Sequence, residues 1–238
     1  ATLGLGSTAL AQTPVTISNP GFETDVLADG NSVLTQTLSG WNGGYTSASD
    51  TPPYSLWAAF AGDSGASNPD PAGNYAGAVP QGANAGFALT FPTFRQGLRQ
   101  VLAETVQADA SYSLSVKVGN PDVTNLGGAG PGYVIDLVVN GTVVATTAGA
   151  SPASGTFVTA TLNYVAPSTG DPLVGQPIEI RILAADDAST GARVDFDDVA
   201  PALFARLHRS DTRIGDHDVQ PAELVQPSLQ CGAQCLAI

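Results

Sequence analysis

The chain has 238 residues, enough for one large β-domain with its own core, and its formal net charge is −13. Its eight Lys and Arg against 21 Asp and Glu leave too few cations for binding nucleic acid or an anionic membrane surface. A charged fraction of only 12%, combined with 27 Gly and 17 Pro, is typical of an ordered extracellular β-protein.

The first segment, residues 1–13, is rich in small and apolar residues. Its apolar run ends at Ala9-Leu10-Ala11, which matches the A-x-A pattern of a signal-peptide cleavage site. This pattern predicts a signal-peptide remnant and therefore a secreted or cell-surface protein. The alternative is an N-terminal arm that adds a strand to another subunit. No stretch of the sequence is apolar and long enough to span a membrane.

The middle of the chain alternates apolar and polar residues in short runs separated by turn residues, which predicts an antiparallel sandwich of about 10 strands. Asn140-Gly141 lies between two apolar runs and predicts a tight hairpin, because both positions tolerate a positive φ. The strongest predicted strands are 112–119, 132–139, 156–165 and 177–185, and weaker ones are 54–60 and 86–91.

Three other segments are predicted from composition or local spacing. Residues 42–53 and 61–85 are rich in Gly, Ser, Asn and Pro, which predicts long loops. Apolar residues at 98, 101, 102 and 106 have the spacing of an amphipathic helix. Pro201 is expected to end any strand that follows "VDFDDV".

The tail, 201–238, shows no clear periodicity and is predicted to lie outside the main domain, 14–200. It contains both histidines and both cysteines. Cys231 and Cys235 are too few for a zinc site, which takes four ligands, and either a local disulfide or two free thiols fits them.

Carboxylates collect in two segments, "NPGFE" (19–23) and "DFDD" (195–198). If Val194 and Phe196 face the core, Asp195 and Asp197 face the other way, because side chains alternate along a strand. Hard oxygen ligands of this kind suit Ca²⁺, and the alternative is a solvated acidic strand end.

Several segments, in order, resemble two related groups of proteins. They are "NPGFE", "SGW", "GANAGFAL", "YSLSVKVGN", "PGYVIDLVVNGTVVA", "FVTATLNYVAP", "GQPIEIRI" and "VDFDDV". One group is the calcium-binding jelly-roll carbohydrate-binding modules, with the exported PEP-CTERM-type β-sandwich proteins. The other is the Stig cyclases, which build hapalindole-type alkaloids. The resemblance implies an all-β, galactose-binding-like jelly roll, and a strand rather than a helix at 94–102.

The resemblance to the modules implies a structural Ca²⁺ held by Glu23 and Asp197, with Asn19 and Asp198 nearby. The resemblance to the cyclases implies that Asp195 is a general acid. It also places Phe87 where the cyclases have a tyrosine that assists this acid, so that the helper hydroxyl is expected to be absent. The alternative is that Asp195 faces solvent and has no catalytic role.

The aromatic residues Tyr45, Tyr54, Trp57 and Phe87 are the candidate ligand-binding side chains, whereas Trp41 is expected in the core. Three functions follow as hypotheses. The leading one is a non-catalytic extracellular module that binds glycans or other subunits. The others are a Stig-type cyclase that uses Asp195 on a hydrophobic substrate, and a subunit that self-assembles by strand addition.

Overall fold

The computed structural model describes residues 15–34, 37–47, 58–59, 64–67, 74–75, 77–90, 94–122, 130–185 and 191–206. These residues form thirteen strands and no helix. The strands are β1 (Ser32–Leu34), β2 (Thr37–Leu38), β3 (Trp41–Ser47), β4 (Ala58–Ala59), β5 (Ser64–Ser67), β6 (Ala85–Leu89), β7 (Phe94–Thr105), β8 (Ala110–Asn120), β9 (Tyr133–Val139), β10 (Thr142–Gly149), β11 (Thr156–Val165), β12 (Pro177–Ala184) and β13 (Arg193–Arg206).

The strands form two antiparallel sheets that pack as a jelly-roll-like sandwich, which confirms the predicted fold class. Sheet A has the order β1-β5-β6-β13-β8-β11. Sheet B has the order β10-β9-β12-β7-β3-β2, and β4 pairs with β3. Among the described residues, no helix is long and apolar enough to cross a membrane.

The core between the sheets is made by every second residue of the long strands. Ile178, Ile180 and Ile182 of β12 belong to it, as do Val194 and Phe196 of β13. Full burial of one such side chain contributes about 1.5–3 kcal/mol, so the alternating pattern is strongly favoured over a register shifted by one residue.

Trp41 is buried in the core, as predicted, and packs against Phe22 with 5.4 Å between ring centroids. Phe22 has a φ of 61°, which turns its ring inward from the "NPGFE" segment. Gly86 of β6 leaves room for that ring, because a Cβ there would come within 2.5 Å of it. Residues 15–31 form turns and extended segments without a strand.

Most of the predicted strands are confirmed within two residues of their ends. The Asn140-Gly141 turn joins β9 to β10, with φ angles of 49° and 77°. The helical spacing around residue 98 is overridden, because β7 pairs with both β12 and β3. The prediction of 54–60 lies largely outside the described residues.

The predicted loops 42–53 and 61–85 are partly wrong, because β3 and β5 lie within them. Both strands are rich in Gly and Ser, which contribute few side-chain contacts. Their backbone groups are paired instead: Gly43 and Gly44 lie opposite β7, and Gly65 and Ala66 lie opposite β6. Composition alone could not reveal this, because backbone pairing does not depend on an apolar side chain.

Pro201 does not end β13, contrary to the prediction. It lies opposite Leu114 of β8, after a register shift between Asp197 and Ala200. β6 pairs only with the start of β13, up to Phe196, so no described strand pairs with that side of β13 at Pro201. A residue without an N–H is tolerated on an unpaired side of a strand.

Candidate active site

Asp195 lies on the outer face of sheet A, in the middle of a row of side chains that crosses the sheet. It is opposite Phe87 of β6 on one side and opposite Gly119 of β8 on the other. Phe157 of β11 lies beyond Gly119. Val194 and Phe196 face the core, so the predicted alternation is confirmed.

Asp195 is fully buried, so the expectation that it faces solvent is wrong. Three N–H or O–H groups donate to its carboxylate. Tyr75 Oη donates to Oδ2 over 2.7 Å, Arg193 Nε donates to Oδ1 over 2.5 Å, and Arg193 Nη2 donates to Oδ2 over 3.0 Å. Both carboxylate oxygens therefore act as acceptors, which suits the ionised form.

Tyr75 supplies a hydroxyl to Asp195. The sequence had predicted that this helper hydroxyl is absent, because Phe87 stands where the cyclases have their tyrosine. Tyr75 comes from a loop, and its neighbour Asn74 accepts a backbone hydrogen bond from Asp122 over 2.7 Å. Its ring packs on Phe157 with 4.4 Å between centroids. Gly119 makes space for both, because a Cβ there would lie 2.6 Å from Tyr75 Oη and 2.5 Å from the Phe157 ring.

Arg193 covers the other side of the carboxylate. It shares the outer face with Asp195 because the two residues are two positions apart on β13. Its guanidinium lies 4.5 Å from the centre of the Phe87 ring, within cation–π distance, and Nη2 also donates to Ser67 Oγ. This forked contact is the strong geometry for an arginine–carboxylate pair.

The protonation of this cluster follows from its burial and charges. Burial raises the pKa of Tyr75, and the adjacent Asp195 carboxylate raises it further, so Tyr75 stays a neutral donor. Burial alone would lower the pKa of Arg193, but the charge of Asp195 and their hydrogen bonds raise it. Tyr75 and Arg193 therefore meet Asp195 as a neutral phenol and a charged guanidinium.

Asp197 lies two residues further along β13 and is also fully buried. Its Oδ2 accepts a hydrogen bond from Gln81 N and its Oδ1 accepts one from Asp198 N, each over 2.7 Å. Burial raises the pKa of Asp197 to about 7, against the effect of these hydrogen bonds, and the nearby charges of Asp198 and Glu23 add to the rise. The carboxylates that were predicted as Ca²⁺ ligands thus lie close enough to repel one another.

The predicted ligands already have protein partners. Glu23 Oε1 accepts hydrogen bonds from the backbone N–H groups of Ala83 and Asn84, over 2.9 and 2.7 Å. The Asn19 amide bridges Ser39 O and Thr24 N, so it serves the turn. Among the described residues, no three His, Cys, Asp or Glu form a ready metal-binding group. The oxygen chemistry suits Ca²⁺, and a cation would relieve the repulsion at Asp197.

The predicted ligand-binding aromatics are only partly covered by the structure. Tyr54, Trp57 and the side chain of Tyr45 lie outside the described residues. Phe87 does reach the site, where it packs under Arg193. The sequence reasoning missed Tyr75 and Arg193. For Arg193 a signal existed, since a residue two positions before Asp195 must share its face.

The model of the HpiC1-like family, described as HpiC1 cyclase, matches residues 13–200. No curated protein matches the chain at a significant level.

Several solved structures of cyclases from Fischerella have a similar fold. A cyclase from Fischerella sp. TAU is 24% identical, with a TM-score of 0.66, and the match covers 82% of this chain and 98% of that one. A Stig cyclase from the same source, in complex with (3Z)-3-(1-methyl-2-pyrrolidinylidene)-3H-indole, is 23% identical, with a TM-score of 0.67 and coverage of 82% and 99%. A third, in complex with 4-(1H-Indol-3-yl)butan-2-one, is 24% identical, with a TM-score of 0.65 and coverage of 80% and 97%.

Proposed function

The chain belongs to the HpiC1-like family of cyclases, and on that basis we propose that it closes a ring within a largely apolar, indole-type substrate, with Asp195 as general acid. The observation that carries the role of Asp195 is its position: a carboxylate buried on the outer face of sheet A, held by Tyr75 and Arg193. Both structures described with a ligand carry an indole compound, which supports the substrate class.

The leading hypothesis from the sequence, a non-catalytic module that binds glycans, is wrong, because the matching family is one of cyclases. The same match gives no support to the secreted, calcium-binding and carbohydrate-binding character inferred from the modules, or to the resemblance to PEP-CTERM-type proteins. Export, self-association and a bound Ca²⁺ stay predictions without a test. If Ca²⁺ binds, Glu23 and Asp197 would hold it, and its charge would stabilise their carboxylates.

The surroundings of Asp195 suit a ring closure on an apolar substrate. The Tyr75 hydroxyl contacts the carboxylate, Phe157 packs on the Tyr75 ring and Phe87 packs on Arg193, and the carboxylate is fully buried among them. In a cyclisation that isomerises its substrate, the proton that Asp195 gives at the start returns to it after the ring has closed. The arrangement described here, in which both Asp195 oxygens accept hydrogen bonds, suits the second half of that cycle, in which Asp195 accepts a proton.

The first half of the cycle requires a change in the cluster. The carboxyl oxygen that carries the proton is a poorer acceptor for the guanidinium. A proton on Asp195 therefore weakens its two hydrogen bonds with Arg193. Tyr75 can stay in place, because its hydroxyl can turn and accept a hydrogen bond instead. Tyr75 is thus a positioning residue, and Asp195 is the group that exchanges the proton.

The test is turnover of a panel of indoles that carry an unsaturated side chain at carbon 3. Wild-type protein is expected to convert at least one into a product of the same mass and different chromatographic retention. Asp195→Asn should lower the rate by about 100-fold or more, because it removes the transferable proton. Retention of the wild-type rate by Asp195→Asn would contradict the acid role, and no conversion of any compound would contradict the substrate class.

A further inference from the structure

Arg193 covers Asp195 in the free protein. The side chain of Asp195 has no exposed surface, whereas that of Arg193 is 14% exposed. Tyr75 and Phe87 are 6% and 3% exposed. Of these described residues around the carboxylate, Arg193 therefore offers the most surface to a molecule that arrives from solvent.

Arg193 is also the neighbour that can move with the least disruption. Phe87 belongs to β6 and is fixed opposite Asp195 by the strand register. Tyr75 packs on Phe157 and over Gly119, where there is no spare volume. The arginine side chain reaches Asp195 through a flexible stem, and its contacts are polar ones that another hydrogen-bonding group can replace.

The Arg193 guanidinium has more N–H groups than its hydrogen bonds to Asp195 and Ser67 use. A guanidinium carries five N–H groups in a planar fork. Nε donates to Asp195 Oδ1, and Nη2 donates to Asp195 Oδ2 and to Ser67 Oγ. Within the described part of the chain, Nη1 makes no hydrogen bond. Its two N–H groups are thus available to an acceptor on a bound molecule.

We propose that Arg193 recognises the substrate by donating a hydrogen bond from Nη1 to an acceptor atom next to the reacting ring system. Asp195 and Ser67 hold the guanidinium in position, and its face against Phe87 fixes its plane. This inference rests on the proposed cyclase function and assigns a specificity-determining residue to it.

The acceptor is an uncharged one, such as a carbonyl oxygen or an imine nitrogen. While Asp195 is ionised it neutralises Arg193, so a substrate carboxylate would add an uncompensated negative charge to a buried site. A neutral acceptor gains the hydrogen bond without that electrostatic cost.

Three probes of similar shape test this proposal by calorimetric titration. The first is 4-(1H-indol-3-yl)butan-2-one, which has a carbonyl acceptor. The second is 3-butylindole, which lacks the acceptor, and the third is 3-(1H-indol-3-yl)propanoate, which is charged. Wild-type protein is expected to bind the ketone about tenfold more tightly than either of the others, the worth of one hydrogen bond to a charged group.

Variants separate recognition from proton transfer. The double variant Arg193→Gln with Asp195→Asn removes both charges, so no carboxylate is left buried without a partner. Its affinities for the ketone and for 3-butylindole should agree within about twofold. Asp195→Asn alone should keep the preference for the ketone over 3-butylindole while losing turnover. Lys117→Gln removes another cation from the outer face of sheet A and should change neither property. Melting temperatures show whether each variant is folded.

The outcomes are distinct. A ketone preference that survives in the double variant would overturn the role of Arg193 and leave the cyclase proposal intact. Equal wild-type affinity for the ketone and 3-butylindole would do the same. If the protein turns over unsaturated indoles but shows no preference for the ketone, only the inference about Arg193 is rejected. If it binds none of the three indoles, both that inference and the proposed substrate class are rejected.

Discussion

The Tyr75 hydroxyl donates a hydrogen bond to Asp195 Oδ2 over 2.7 Å, although 120 residues separate the two in the chain. Tyr75 is in a loop and Asp195 is in the last described strand of sheet A. Their contact forms only because β13 inserts between β6 and β8, beneath that loop. The pair brings a neutral donor and a carboxylate together in a site that excludes water.

Tyr75→Phe should lower turnover by roughly tenfold or more, because Asp195 loses a donor that orients it. The apolar packing on Phe157 is kept, so the melting temperature should fall little. Tyr164→Phe is the matched control, because Tyr164 Oη is buried and has no hydrogen-bond partner among the described residues. Equal rates for the two variants would show that the Tyr75 hydroxyl has no part in catalysis.

Gly119→Ala should damage the site without altering a polar group. The added methyl would lie 2.6 Å from Tyr75 Oη and 2.5 Å from the Phe157 ring, closer than real contacts allow. We expect both lower turnover and a destabilisation of about 1–3 kcal/mol, the usual cost of overpacking. Gly77→Ala is the control, since no atom lies within 4 Å of its added methyl. Denaturant unfolding and rates of both variants measure the difference.

Asp197 should make stability depend on pH when Ca²⁺ is removed with a chelator. Its pKa rises from 3.8 to about 7 in the folded protein, so the folded state holds the proton more tightly than the unfolded chain. Stability should therefore fall as pH rises through that window, by at most about 1.4 kcal/mol per pH unit. Asp197→Asn should flatten this slope, and the exposed control Asp29→Asn should not.

Added Ca²⁺ should raise the melting temperature at pH 7, if Glu23 and Asp197 hold the ion, because a ligand that binds only the folded state stabilises it. The increase should disappear in Asp197→Asn and persist in Asp195→Asn. An identical melting temperature with Ca²⁺ and with chelator would reject the calcium prediction.

Asp136 should also destabilise the protein as pH rises, although it lies on the other sheet. It is fully buried on the outer face of sheet B, and in the described part of the chain neither of its oxygens makes a hydrogen bond of normal geometry. Burial raises its pKa, against the opposing effects of the nearby Thr146, Arg181 and Arg95. The folded protein thus favours the protonated form.

Asp136→Asn removes that charge. The variant should therefore lose less stability between pH 4 and pH 7 than the wild type does, since no buried carboxyl group ionises at this position. Thermal unfolding at both pH values, in buffer with Ca²⁺ to keep Asp197 out of the comparison, measures the change. A larger loss of stability in the variant at pH 7 would mean that Arg181 and Arg95 depend on the carboxylate more than burial penalises it.

Much of the fold could be predicted from local pattern. The alternation in 156–165 and 177–185 gave strands that match β11 and β12 closely, because side-chain direction along a strand repeats every two residues. β3 and β5 could not be predicted in this way. Their Gly and Ser residues carry no such alternation, and only pairing with β7 and β6 makes them strands.

The sequence by itself determined that Asp195 faces away from the core, since Val194 and Phe196 on either side of it must be buried. It could not determine what Asp195 meets there. That depends on the register of β13 against β6 and β8 and on the return of a loop 120 residues earlier, which brings Tyr75 to the carboxylate. Periodicity is a property of neighbouring residues, whereas the chemistry of this site comes from contacts between distant ones, and only the tertiary structure decides those.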